Sequence, residues 1–233
     1  MNEVKKFQIL DGTMLKIIAM ISMVFDHVGD MFFPEVMWPR MIGRIAMPLF
    51  SFCIAEGYFY TRDKKKYLLR MGLFALVSEI PFDLAFSRKI EFTHQNIMLT
   101  FFIALLALML FDLIRGEKNP ETERYPIGKS LLGILAVAAM SVLAFLLRAD
   151  YTVFAVIAVF LFYVFRQLKP ILRCIPGVAF LALTRTMGYY ITTGLSIIPL
   201  ALYNGKKGKG LKWLFYAFYP GHLLLLYLIK RFL

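Results

Sequence analysis

The apolar residues of this chain come in long unbroken runs, and that limits the fold more than any other feature. The run at 129–147 reads KSLLGILAVAAMSVLAFLL. Crossing a bilayer takes about 20 mostly apolar residues. Lipid offers no partner to free backbone groups, so a spanning segment is a helix or part of a closed barrel. Barrel strands alternate apolar and polar residues; these runs do not. The expectation is an all-α polytopic transmembrane bundle forming one domain over 1–233. Spans are placed at about 14–33, 42–60, 67–86, 96–114, 129–147, 151–166, 173–184, 188–203 and 213–229. The seventh and eighth are short and interrupted by Pro176, Gly177 and Gly188. Read as one broken helix they leave eight spans; a re-entrant pair is the other reading. Composition agrees: 60% of the 233 residues are apolar, above the ~45–50% of soluble domains, and mean hydropathy is +0.67.

Charge then orients the bundle. The net charge of +12 would suggest nucleic acid in a soluble protein, but here Lys and Arg sit in short loops, where they set topology. With the N-terminus cytoplasmic, the inner side collects Lys5, Lys6 and Lys16, the RDKKK run at 62–66, Arg115–Lys129, Arg166–Arg173 and the KKGK run at 206–209. The outer side keeps a minority, including Arg40, Arg44, Arg148 and Arg185. The first apolar run, Ile17–Phe25, meets Asp26 and His27 without a small-residue cleavage site, so it reads as a retained span rather than a signal peptide. Cys53 and Cys174 lie within or beside apolar stretches and suggest packed thiols, not a disulfide framework. Trp38 and Trp213 fall near span ends, as interfacial anchors do.

Ionisable residues inside such spans are expensive and usually face the bundle interior. The first span ends with Ser22, Asp26, His27 and Asp30. The i, i+4, i+8 spacing puts Ser22, Asp26 and Asp30 on one helical face, and either carboxylate could orient the His27 imidazole. Arg44 opens the second span, which later carries Glu56. The third has Glu79 and Asp83 around Pro81; the fourth begins at His94, Gln95 and Asn96; Asp150 and Tyr151 open the sixth; Tyr219 and His222 share the last. Most of these fall in the outer half, Glu56 excepted. That gathering suggests a reaction site or binding cavity open to the outside. Individually, Asp26, Asp30 and Asp83 also suit the wet interface, Arg44 could snorkel to headgroups, His94 could be an ordinary loop residue, and His222 could be a packing hydrogen-bonder. No HxxxH or HxxE spacing points to a metal.

The stretches LKIIAMISMVFDHVG, GRIAMPLFSFCIAEGYFYTR, SEIPFDLAF, HQNIMLTF, ADYTVFAV and FYPGHLLLLYLIK resemble the TraX family, from about Leu15 to Lys230. The resemblance implies a polytopic protein of the bacterial inner membrane, related to an enzyme that N-acetylates conjugative pilin with acetyl-CoA as donor. The opening is also similar to membrane acyltransferases that modify cell-surface sugars; there Lys16 replaces a common Arg, and Glu56 replaces a common Ser.

The expected activity is therefore transfer of acetyl from acetyl-CoA to an amine or hydroxyl of an extracytoplasmic acceptor, a pilin or a surface polymer. Nucleic acid is not expected as a partner, and no metal is. His27 is the expected base, oriented by Asp26 or Asp30, with Arg44, Asn96 or His222 stabilising the oxyanion. Glu56, Glu79 and Asp83 are expected to position the acceptor or pair with Arg44. His94, Gln95, Asn96, Asp150, Tyr151 and Tyr219 are candidates for substrate binding. The basic inner loops suit CoA phosphates and suit orientation alone equally well. Because the donor is cytoplasmic and the costly residues lie outward, either the CoA arm reaches through the bundle or a covalent intermediate relays the group. A transporter or channel using the same Asp, Glu and His residues is the competing expectation.

Overall fold

A computed structural model describes residues 7–120, 122–184 and 189–233. Lys5, Lys6, Arg185 and Gly188, used above to read orientation and breaks, lie outside them. Among the described residues the regular elements are all helices, joined by loops and turns with two isolated backbone bridges. Helix α1 (Gly12–Phe32) starts where the Asp11 carboxylate accepts the N–H groups of Thr13 and Met14, at 2.8 and 2.9 Å. A short α2 (Met37–Gly43) precedes the second span, which forms as α3 (Ala46–Tyr60), with a break between the two. Pro48 explains the break: in a continuous helix its missing N–H would leave the Arg44 carbonyl unpaired. Asp63 caps α4 (Lys64–Phe86) through the Lys66 N–H at 2.9 Å, a bond that holds its exposed carboxyl below the usual range. Asn96 caps α5 (Ile97–Arg115), which stops at Gly116 with a φ of 68°.

Helices α6 (Ile127–Leu146) and α7 (Thr152–Val164) follow. Then come α8 (Ile175–Leu183), α9 (Tyr189–Leu195) and α10 (Ile197–Ala201), and last the long α11 (Lys212–Phe232). The α8 and α9 segments pack on each other. Arg173, just before α8, lies over the ring of Tyr203, just after α10, whereas Tyr189 meets Arg44 at the opposite end of α3. They are two antiparallel legs, not one broken helix.

Contacts between helices run α1–α3–α5–α4–α11 and back to α1, a closed ring of five. Helix α7 packs behind α3 and α5, α6 covers α5 and α7, and α8 lies on α7. The rest of the surface is turned inside out: Leu69, Leu73, Leu76 and Ile80 of α4, and Leu131, Leu135 and Phe145 of α6, are exposed. Soluble proteins rarely show apolar patches beyond a few hundred Å², whereas a lipid-facing wall requires them. Helices α5 and α6 are long and apolar enough to cross a membrane. Several other legs are short or carry charge, and much of the charge on α1 and α4 turns inward. With the apolar belt, these features mark a membrane protein.

Each end of the bundle is stitched by backbone. At one end, Leu10 N–H reaches Leu202 O (3.0 Å), Gly12 N–H reaches Lys206 O (2.8 Å) and Thr13 Oγ1 donates to Lys209 O (2.8 Å). At the other, Asp150 N–H reaches Gln95 O (2.8 Å), and Thr100 Oγ1 donates to Asp150 O (2.6 Å).

Candidate active site

The five-helix ring and the loops at its ends surround a half-open cavity of about 890 Å³. It reaches from a basic end, lined by Lys16, Arg70, Lys207, Lys209 and Lys212, to a second end lined by Asp26, His27, Asp30, Arg44, Asp150 and Tyr151. Lys16 and His27 both line it from α1, so at 1.5 Å per residue the two ends are about 16 Å apart along that helix.

At the second end two helices far apart in sequence bring their histidines together. His27 Nδ1 lies 2.8 Å from His222 Nε2, and the rings are nearly parallel, 8° apart. His222 Nδ1 is 2.8 Å from the carbonyl of Phe218 on its own helix. Phe218 stacks on His222, and Phe86 sets its edge against His27. The carboxylates expected to orient His27 are engaged elsewhere. Asp26 accepts from Arg44 at 2.5 Å, and Asp30 pairs with Arg40 at 3.2 Å. Arg44 also donates to the Tyr151 hydroxyl at 3.3 Å and lies over the Tyr189 ring. One glycine makes this possible: a Cβ on Gly43 would stand 2.2 Å from the Asp26 Cβ, so only glycine lets α2 approach α1 closely enough to set Arg44 on Asp26. Beside them Arg148, Tyr151 and Thr152 adopt left-handed backbone, φ 52°, 58° and 42°. Non-glycine residues seldom do so, and such positions concentrate at functional sites.

The other expected residues separate. Tyr219 is buried and lines the cavity near the histidines. His94 and Gln95 line a neighbouring recess of about 690 Å³ that shares Phe82, Asp150 and Tyr151 with the main cavity. Asn96 and Glu79 bond each other, and Asn96 also donates to Ala75 O at 2.8 Å, tying α4 to α5. Asp83 accepts the Glu91 N–H at 2.9 Å and anchors the loop after α4. Neither Glu79 nor Asp83 meets Arg44, and neither faces the main cavity. Glu56 lines it nearer the basic end, where Arg173 stands 3.9 Å away.

The family profile described as "TraX protein" matches residues 11–230. The chain belongs to the TraX family. A probable fimbrial assembly protein of Dichelobacter nodosus, FimC of serogroup H1, is 30% identical over 247 residues, covering 94% of this chain and 95% of that one. An uncharacterized protein of Rickettsia prowazekii, strain Madrid E, is 31% identical over 99 residues, 42% of this chain and 36% of that one. No solved structure matches.

This TraX-family chain also has polar clusters that sequence reading missed. Asp112 accepts from the hydroxyls of Tyr58 (2.9 Å) and Tyr163 (2.7 Å) and meets Lys64 and Arg115 at 3.2 Å each, joining α3, α4, α5 and α7. An acid within an apolar run was the available signal. Arg40, the partner of Asp30, reads in sequence as one more loop charge.

Proposed function

We propose that this protein is a multi-pass acyltransferase of the bacterial cytoplasmic membrane, N-terminus inside, that carries acetyl from cytoplasmic acetyl-CoA to an acceptor on the far side. The observation that carries this reading is the single cavity joining a basic end to a histidine end. It meets the difficulty posed by a cytoplasmic donor and an outward site without a covalent relay: CoA phosphates rest among Lys16, Arg70, Lys207 and Lys209, and the slender pantetheine arm extends about 16 Å to His27. The acceptor is an amine or hydroxyl entering at the histidine end. Descent from a family named for TraX, and likeness to a protein named for fimbrial assembly, favour a pilin-like subunit over a surface polymer.

In this reaction His27 takes the proton of the acceptor N–H or O–H as it attacks the thioester carbonyl. The carbonyl electrons move to oxygen, beside Arg44. Collapse breaks the C–S bond, and the CoA thiolate recovers the proton from His27. Preorganised charge and a positioned base are the two contributions such a transfer needs.

The test is release of free CoA thiol by the purified protein in lipid nanodiscs, given acetyl-CoA and pilin-type peptides or surface-polymer extract, with His27→Ala alongside. Thiol release that requires His27 supports the reading. A cavity reaching both ends also suits a transport pathway. Ion or solute flux without thiol release, together with no acetyl-CoA binding by calorimetry, would replace the enzyme with a transporter.

A further inference from the structure

The two histidines are joined in a way that dictates where their protons sit. A backbone carbonyl has no proton to give, so the 2.8 Å contact between Phe218 O and His222 Nδ1 requires hydrogen on that nitrogen. A neutral His222 then carries a bare lone pair on Nε2. His27 Nδ1, 2.8 Å from that lone pair, must be the donor. A neutral His27 therefore keeps its own lone pair on Nε2, which no hydrogen bond engages among the described residues. His27 faces the cavity; His222 lies behind it, buried. From this chain of contacts we infer that His222 is a positioning residue: it locks His27 in the Nδ1–H tautomer, so that Nε2 is the atom that receives the acceptor's proton.

A carboxylate in this position would place a negative charge next to the base. An imidazole supplies the same acceptor atom without that charge. When His27 takes a proton on Nε2 it still donates Nδ1–H to His222, so nothing has to reorient during the transfer. A proton on both rings at once would set two N–H groups against each other at 2.8 Å, so the pair holds at most one extra proton. Phe218, stacked on His222 from one turn away, and Phe86, edge-on to His27, leave neither ring free to turn.

The kinetic part of this inference rests on the acyl-transfer reading; the tautomer does not. The experiment uses the full chain in nanodiscs with ¹⁵N-labelled histidine, His27→Gln and His94→Gln variants serving for assignment. The expected resting spectrum has His27 protonated on Nδ1 and bare on Nε2. In parallel, His222→Phe keeps a ring but removes the acceptor nitrogen, and His222→Gln restores an acceptor oxygen. With acetyl-CoA and a pilin-type peptide as acceptor, His222→Phe is expected to lower kcat about 100-fold, the scale of a misplaced general base, with KM for acetyl-CoA within about twofold. His222→Gln is expected to recover kcat to within about tenfold of wild type. Hydrogen on Nε2 of resting His27 overturns the inference whatever the activity, and so does His222→Phe with near-normal kcat. A wild-type protein that shows the expected tautomer but neither binds acetyl-CoA by calorimetry nor releases CoA sinks the acyl-transfer reading and leaves the tautomer standing.

Discussion

Arg44 and Asp26 show how much a single contact can organise. Both side chains are mostly withdrawn from solvent, and removing one partner of such a pair leaves the other charge uncompensated, at about 3 kcal/mol. Asp26→Asn is therefore expected to lower the melting temperature in detergent well below wild type. The double variant Asp26→Asn/Arg44→Gln, with both charges gone, should recover part of the loss. Gly43→Ala is expected to cost about 1–3 kcal/mol by overpacking against Asp26 and to lower CoA release as Arg44 is displaced, which calorimetry and the thiol assay would read together. The residues of this site were legible in sequence because charges in apolar runs stand out; their partners were not. Helical spacing made Asp30 a neighbour of His27, yet its carboxylate turns to Arg40 on α2, while the histidine's partner is 195 residues away. Local periodicity carries no information about such a contact.

Among elements, those built on long apolar runs were read closely, and those broken by backbone chemistry were not. The start of α1 at Gly12 and the last helix follow the hydropathy pattern within a few residues. The second span, placed at 42–60, forms as α3 (Ala46–Tyr60), whereas the short α2 ahead of it was not expected; Pro48 lacks the donor that would join the two. The α8 and α9–α10 legs were ambiguous from sequence, since segments of nine and seven residues lack the length that makes a span recognisable. Asp112 makes a prediction at this scale. Four helices meet through its carboxylate, so Asp112→Ala strands the hydroxyls of Tyr58 and Tyr163, each buried loss costing about 1–3 kcal/mol. Thermal stability should fall clearly while acetyl-CoA affinity, measured by calorimetry below the melting range, stays near wild type, because Asp112 does not line the cavity.

At the scale of the molecule, the inverted surface and the interior cavity are one design. Apolar side chains face outward, so polar ones can gather within the ring of five helices without being solvated by lipid. The two ends of that cavity should be separable in kinetics. Charge reversal at the basic end, Lys207→Glu with Lys209→Glu, is expected to raise KM for acetyl-CoA about tenfold or more with little change in kcat. Added salt should weaken donor binding to the wild type, since these lysines lie near solvent and are screened at physiological ionic strength. Steady-state thiol release across a range of salt concentrations would show whether the donor is held there.

The joining of α1 to α11 also has a consequence for how the protein is made. His27 leaves the ribosome 195 residues before His222. Until α11 enters, the ring has a missing wall and the imidazole on α1 has no partner. A chain that stops before α11 thus leaves His27 without its partner, and the pair forms only once both walls of the ring are in place.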